Sequence, residues 1–147
     1  MRIKKIACCT DFSENAELAF EAAVEMAEKF HAELDLLHVL PPVINPMMSD
    51  SEWIIPNESQ DSLFTQLEER MEQTYGSRID RDVKHKLVVL SGHVSTEILR
   101  YLEEKQIDMV VLGSYGLTGM GLVLFGSVAK RISHKAPCSV MVIRQSK

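Results

Sequence analysis

Two rhythms alternate along the chain. Short aliphatic runs end in small polar residues, and each is followed by apolar positions three or four apart. Lys4 to Thr10 is the first run and closes at Asp11. From Ser13 onward Ala16, Phe20, Ala23, Ala27 and Phe30 recur at helical spacing, which puts them on one face of an amphipathic helix. Its start has two candidates: Asp11 with Glu14 three residues on fits a capping box, and Ser13 competes as the N-cap. Leu34 to Val39 is a second strand. Pro41, Pro42, Pro46 and Pro56 then exclude regular structure until a helix can begin near Ser59, carried by Leu63, Leu67, Met71 and Tyr75. Lys84 to Leu90 supplies a third strand, and Ser95 can cap a helix with Ile98, Leu99 and Leu102. Met109 to Leu112 is a fully apolar fourth strand, Val128 to Ser133 a last helix before Pro137, and Ser139 to Ile143 a fifth strand.

Strands alternating with helices predict one α/β domain over residues 1–147 with a parallel sheet, because right-handed crossovers place helices on both faces. Near-continuous apolar strands agree with burial on both sides. Ligands of such sheets bind beyond the carboxyl ends of the strands, where the strand order reverses. For two mirrored halves that point lies between strands one and four, so Asp11 and Gly113 are expected to face one crevice.

Composition narrows the function. The 147 residues are 46% hydrophobic and 25% charged, with a net charge of -5. A general binder of phosphate backbones would be basic, so nucleic acid is not expected as a partner. No apolar stretch approaches the roughly 18 residues of a membrane span, and the short apolar run after the basic start gives no export signal. The expected setting is cytoplasmic, without membrane insertion. Cys8, Cys9 and Cys138 lack disulfide or metal-ligand spacing and read as reduced, small core residues. The five histidines show no metal motif, so no metal ligands are assigned. Met26, Met71, Met109 and Met141 fall on core-facing or strand positions. Met47, Met48, Trp53, Ile54 and Ile55 cluster in the stretch from Pro41 to Gln60, where they would cover a ligand, dock a partner or pack on the domain.

Glycine is the unevenly distributed residue. Of seven, Gly113, Gly116, Gly119, Gly121 and Gly126 lie within fourteen positions, between an apolar strand and a helix. In that context backbone amides and a helix N-terminus cradle phosphate, with Ser114 and Ser127 as hydroxyl donors; a tight connection with no ligand is the alternative. Gly121 and Gly126 have the spacing of a Walker A loop, but Ser127 stands where its lysine belongs. Gly119 and Gly121 open a dinucleotide fingerprint that Leu124 breaks.

The spacing of Gly113, Gly116, Gly126 and Ser127 resembles the nucleotide-binding signature of the universal stress protein family. Thr10 to Ser13 is similar to that family's first loop, His38-Val39 to the end of its second strand, Gly92 to the turn before its third helix, and Gly126 to Ile143 to its C-terminal quarter. The resemblance implies a Rossmann-like, doubly wound sheet of five parallel strands in the order 3-2-1-4-5. It implies an adenine-nucleotide-binding stress-response or signalling protein. Asp11 would reach ribose or adenine with Thr10 beside it, and the Val39 backbone would bond the adenine edge. Gly113, Ser114 and Gly116 would line the ribose and phosphate channel, and Gly126, Ser127 and Val128 would hold phosphates. It further implies a homodimer through the last strand, with Val140, Val142 and Ile143 at the edge. Leu117 to Phe125 contains no basic residue, unlike many members. ATP with Mg or Mn, and AMP without metal, are both open. No catalytic residue is assigned; a slow ATP-hydrolysing enzyme and a nucleotide-free interaction module are the other readings.

Overall fold

The structure, a computed structural model, describes residues 1–42, 57–114 and 126–145. Strand β1 (Lys5–Cys9) leads into α1 (Glu14–Phe30), and β2 (Glu33–Leu40) precedes α2 (Asn57–Thr74) and a short 3-10 turn at Gly76–Arg78. The second half runs β3 (His85–Ser91), α3 (Val94–Glu104), β4 (Met109–Gly113), α4 (Ser127–Lys135) and β5 (Ser139–Ile143). All strand pairs are parallel and the sheet order is β3-β2-β1-β4-β5, so the reversal falls between β1 and β4 as expected.

Alternating side chains feed two apolar layers. Ile6, Cys8, Leu34 and Leu36 pack with α1 and with Met71 and Tyr75 at the end of α2. Ala7, Leu37, Val39, Val110 and Leu112 pack with α3 and α4 on the other face. Four alanines of α1, at 16, 19, 23 and 27, are buried, and such small side chains let the helix lie close to the sheet. Met71 and Met109 are buried, and Met26 and Met141 pack partly against the first layer, as their spacing predicted.

Local chemistry fixes the ends. Ser13, and not Asp11, is the N-cap of α1: its hydroxyl accepts from Ala16 N–H at 3.2 Å. Asp11 instead shapes the preceding turn, its Oδ1 accepting from Ser13 N–H at 3.0 Å. Helix α1 ends on His31 in the left-handed region. Helix α2 begins at Asn57, two residues before the expected Ser59 and directly after Pro56. The cap residue of α3 is His93, and Ser95 lies buried in the first turn. The apolar group at Met47 to Ile55 lies outside the described residues.

One buried polar pair was hidden inside an apolar run. Asp35, in the middle of β2, accepts from the Tyr101 hydroxyl of α3 at 2.8 Å. Burial, and secondarily the neighbouring carboxylate, push the Tyr101 phenol well above its ordinary range, so it remains a donor. No helix among the described residues is long and apolar enough to cross a membrane.

All three cysteines are free; Cys8 is buried, and Cys9 and Cys138 are half-buried against the α3/α4 layer. Burial raises every one of these thiols, Cys9 to about 12. Since the thiolate is the reactive form, a disulfide reagent at pH 8 should label Cys8 and Cys9 only after unfolding, as read by mass spectrometry. Replacing Ser13 by Ala removes the α1 cap and should cost about 1 kcal/mol, measured by urea unfolding.

Candidate functional site

The carboxyl end of β1 is where the expected residues gather. The β1–β4 register pairs Cys8 with Val111, and carried on two residues it brings Thr10 level with Gly113. Helix α1 closes the same gap from one face. A Cβ built on Gly113 would lie 2.8 Å from the Asn15 carbonyl oxygen and 2.9 Å from Asn15 Cβ, so only glycine lets the first turn of α1 meet the end of β4. Asp11 and Gly113, about a hundred positions apart, thus share one end of the sheet.

Ser114 ties three elements together at this point. Its N–H donates to the Ile143 carbonyl at the end of β5 (3.0 Å), and its carbonyl accepts from Gly126 N–H (2.6 Å) at the start of α4. The departing and returning ends of the glycine segment are therefore joined. Gly126 caps α4 without a side-chain hydrogen bond, so Ser127, Val128 and the following residue offer first-turn amides at the positive end of the helix dipole. Ser127 is exposed and Val128 half-buried. The Ser114 hydroxyl is fully buried and has no hydrogen-bond partner among the described residues. An orphaned buried hydroxyl costs free energy, and a ligand oxygen or amino group brought to the junction would relieve it.

The third side of the site comes from strand length. Toward β1, residues 33 and 37 of β2 carry the backbone bonds (Glu33 N–H to Lys4, Leu37 carbonyl from Thr10 N–H, both 2.8 Å). Toward β3, Leu34 and Leu40 do so. By the period of two, the N–H and C=O of Val39 point to the β1 side, where β1 has already ended. These groups can serve a planar, hydrogen-bonding ring edge. The buried Ser114 hydroxyl and the first-turn amides of α4 are groups able to bond an oxygen-rich, anionic ligand. Gly116, and with it residues 115–125, lies outside the described residues.

Thr10 is turned inward. Its Oγ1 lies 2.6 Å from the Tyr75 hydroxyl and accepts from Phe12 N–H at 3.0 Å. Burial raises the Tyr75 phenol. His38 Nδ1 is 2.9 Å from the Thr10 carbonyl; a carbonyl can only accept, so Nδ1 carries the proton. Sequence reasoning missed Tyr75 in this role because nothing local connects positions 65 apart. It also missed Arg131, which lies one helical turn beyond Ser127 and donates to Ser95 Oγ (3.0 Å) and Thr96 Oγ1 (3.2 Å). The four-residue spacing from Ser127 to Arg131 was its signal. A separate depression of about 370 Å³ lies beside the start of β2, lined in part by Glu28, Glu33, Asp80 and Asp82. Its acidic wall does not suit a phosphate.

Comparison with known proteins bears on the family and the fold. The model of the universal stress protein family matches residues 2–144. Universal stress protein MJ0531 of Methanocaldococcus jannaschii is 29% identical, over 98% of this chain and 84% of its own. The structure of universal stress protein UspA from Lactobacillus plantarum superposes with a TM-score of 0.84 at 26% identity, covering 98% of this chain and 99% of that one. Two more distant structures share the fold. One is a universal stress protein in complex with cAMP, at TM-score 0.70 and 15% identity over 99% of this chain and 100% of its own. The other is the protein from Archaeoglobus fulgidus in complex with dAMP, at TM-score 0.59 and 21% identity over 97% and 99%.

The packing of Gly113 gives a direct check. Gly113→Ala forces the first turn of α1 away from β4 and should destabilise by roughly 1–3 kcal/mol, read as a lower urea midpoint with unchanged slope.

Proposed function

The chain belongs to the universal stress protein family, and from that premise we propose that it binds an adenine nucleotide between the Asp11 turn and the Gly113 to Ser127 segment, as a stress-response or signalling protein. The observation that carries the reading is the junction at Ser114, where the end of β4, the end of β5 and the start of α4, which has no side-chain cap, meet around a buried hydroxyl without a partner among the described residues. Solved structures of the same fold in complex with cAMP and dAMP support the ligand class.

Each residue has a part that its chemistry suits. The Asp11 carboxylate accepts from ribose hydroxyls or the adenine amino group, with Thr10 fixing the turn behind it. The Val39 backbone pairs with the adenine edge. Gly113, Ser114 and Gly116 line the channel to the phosphates, and the amides and hydroxyl at Gly126, Ser127 and Val128 hold them. Arg131 adds a positive charge one turn further on. The nucleotide is AMP, or ATP with Mg or Mn joined to its phosphates. The protein acts in the cytoplasm as a homodimer through β5, an edge strand paired only with β4, whose Val140, Val142 and Ile143 are all partly exposed.

Protein purified from cells and denatured should release adenine nucleotide, identified by chromatography and mass spectrometry. Titration calorimetry with AMP and with Mg-ATP should then give binding that falls at least tenfold in Asp11→Ala. Absence of released nucleotide together with flat titrations of both ligands would refute the proposal.

A further inference from the structure

The Asp11 turn is held in an unfavourable conformation from outside. Phe12 has φ 65°, in the left-handed region that a bulky side chain seldom adopts. Three aromatic or cationic groups surround its ring. His38 of β2 lies 4.8 Å away between ring centroids, and Tyr75 is stacked at 5.8 Å with an interplanar angle of 20°. The Arg70 guanidinium of α2 sits 3.9 Å from the ring centroid, a cation–π distance. The Tyr75 hydroxyl meanwhile bonds Thr10 Oγ1, which also accepts from the Phe12 amide. Arg70 and Tyr75 thus grip the residues on both sides of Asp11. Behind them Tyr75 packs on Phe20 of α1, at 4.8 Å, so the end of α2 is anchored in the core.

We propose that Tyr75 and Arg70 are positioning residues of the nucleotide site, holding Thr10 and Phe12 so that Asp11 is presented, and that nucleotide occupancy and the docking of α2 form one coupled equilibrium. This rests on the nucleotide reading above. Its physical basis is the strain at Phe12. Without the stack and the Thr10 bond, the left-handed turn relaxes toward the common backbone regions, and the Asp11 carboxylate turns with it. Coupling of this kind is reciprocal: whatever factor α2 docking contributes to nucleotide affinity, nucleotide returns to α2 docking.

The test uses the full-length protein with AMP and with Mg-ATP as probes. Tyr75→Phe keeps the ring and removes the Thr10 bond; Arg70→Gln, at an exposed position, removes the cation without touching the core. Each should weaken nucleotide binding about fivefold, the worth of one ordinary hydrogen bond for Tyr75 and of one exposed cation–π contact for Arg70, and Arg70→Lys should recover most of the loss. In hydrogen exchange, nucleotide should slow the α2 amides of the wild type and slow them less in Tyr75→Phe. Affinities within twofold of wild type in both variants would overturn the inference, as would α2 exchange indifferent to nucleotide in the wild type. If Asp11→Ala loses binding while these variants keep it, the inference alone fails. A wild type that binds neither probe removes both.

Discussion

The functional end depends on a mismatch of strand lengths. Strand β1 is central, yet it stops at Cys9, while β2 beside it runs on to Leu40 and β4 reaches Gly113. Buried backbone groups need partners, and the last backbone–backbone bond across this seam among the described residues is Thr10 N–H to the Leu37 carbonyl. Beyond it β1 contributes no further rung, and the notch is the gap this leaves between the Val39 backbone of β2 and Gly113–Ser114 at the end of β4. The chain leaving β1 must turn sharply there to enter α1. Asp11, Phe12 and Ser13 owe their conformations to that turn, which the Asp11 Oδ1 to Ser13 N–H bond closes.

The two helical layers meet at this notch in different ways. Helix α1 approaches through small contacts, an alanine face on the sheet and the bare backbone of Gly113 against Asn15. Helix α2 approaches through large ones, with Tyr75 and Arg70 around Phe12. On the opposite face α3 and α4 are joined by Arg131 reaching the hydroxyls of Ser95 and Thr96. A positively charged side chain is thereby fixed beside the first turn of α3, in a chain whose net charge is -5.

The fold was legible because the three central strands, β1, β2 and β4, are largely buried and the helices keep an apolar spacing. Met109 to Leu112 and Ser139 to Ile143 announce themselves as sheet, and Ala16 to Phe30 as a face of a helix. The pairing of Asp11 with Gly113 followed from topology, since a doubly wound sheet puts the ends of strands one and four together. What stayed hidden was side-chain chemistry across long separations. Thr10 and Tyr75 are 65 positions apart, Asp35 and Tyr101 are 66 apart, and neither pair leaves a periodic mark. The choice between Asp11 and Ser13 as cap was likewise undecidable from spacing, because both residue types cap helices equally well. Asp11 is drawn off by the turn that Phe12 enters, and Ser13 is left to serve the helix.

The bond between Gly126 N–H and the Ser114 carbonyl has an evolutionary consequence. Because the scaffold itself brings these two residues together, residues 115–125 need contribute nothing to closing the chain. A doubling in the length of such an excursion costs only about 0.6 kcal/mol. Selection is therefore free to lengthen, shorten or recharge it while the strands and helices on either side stay as they are. The same frame can host successive variants of this sequence, exchanged like the bit of a tool whose handle is already complete.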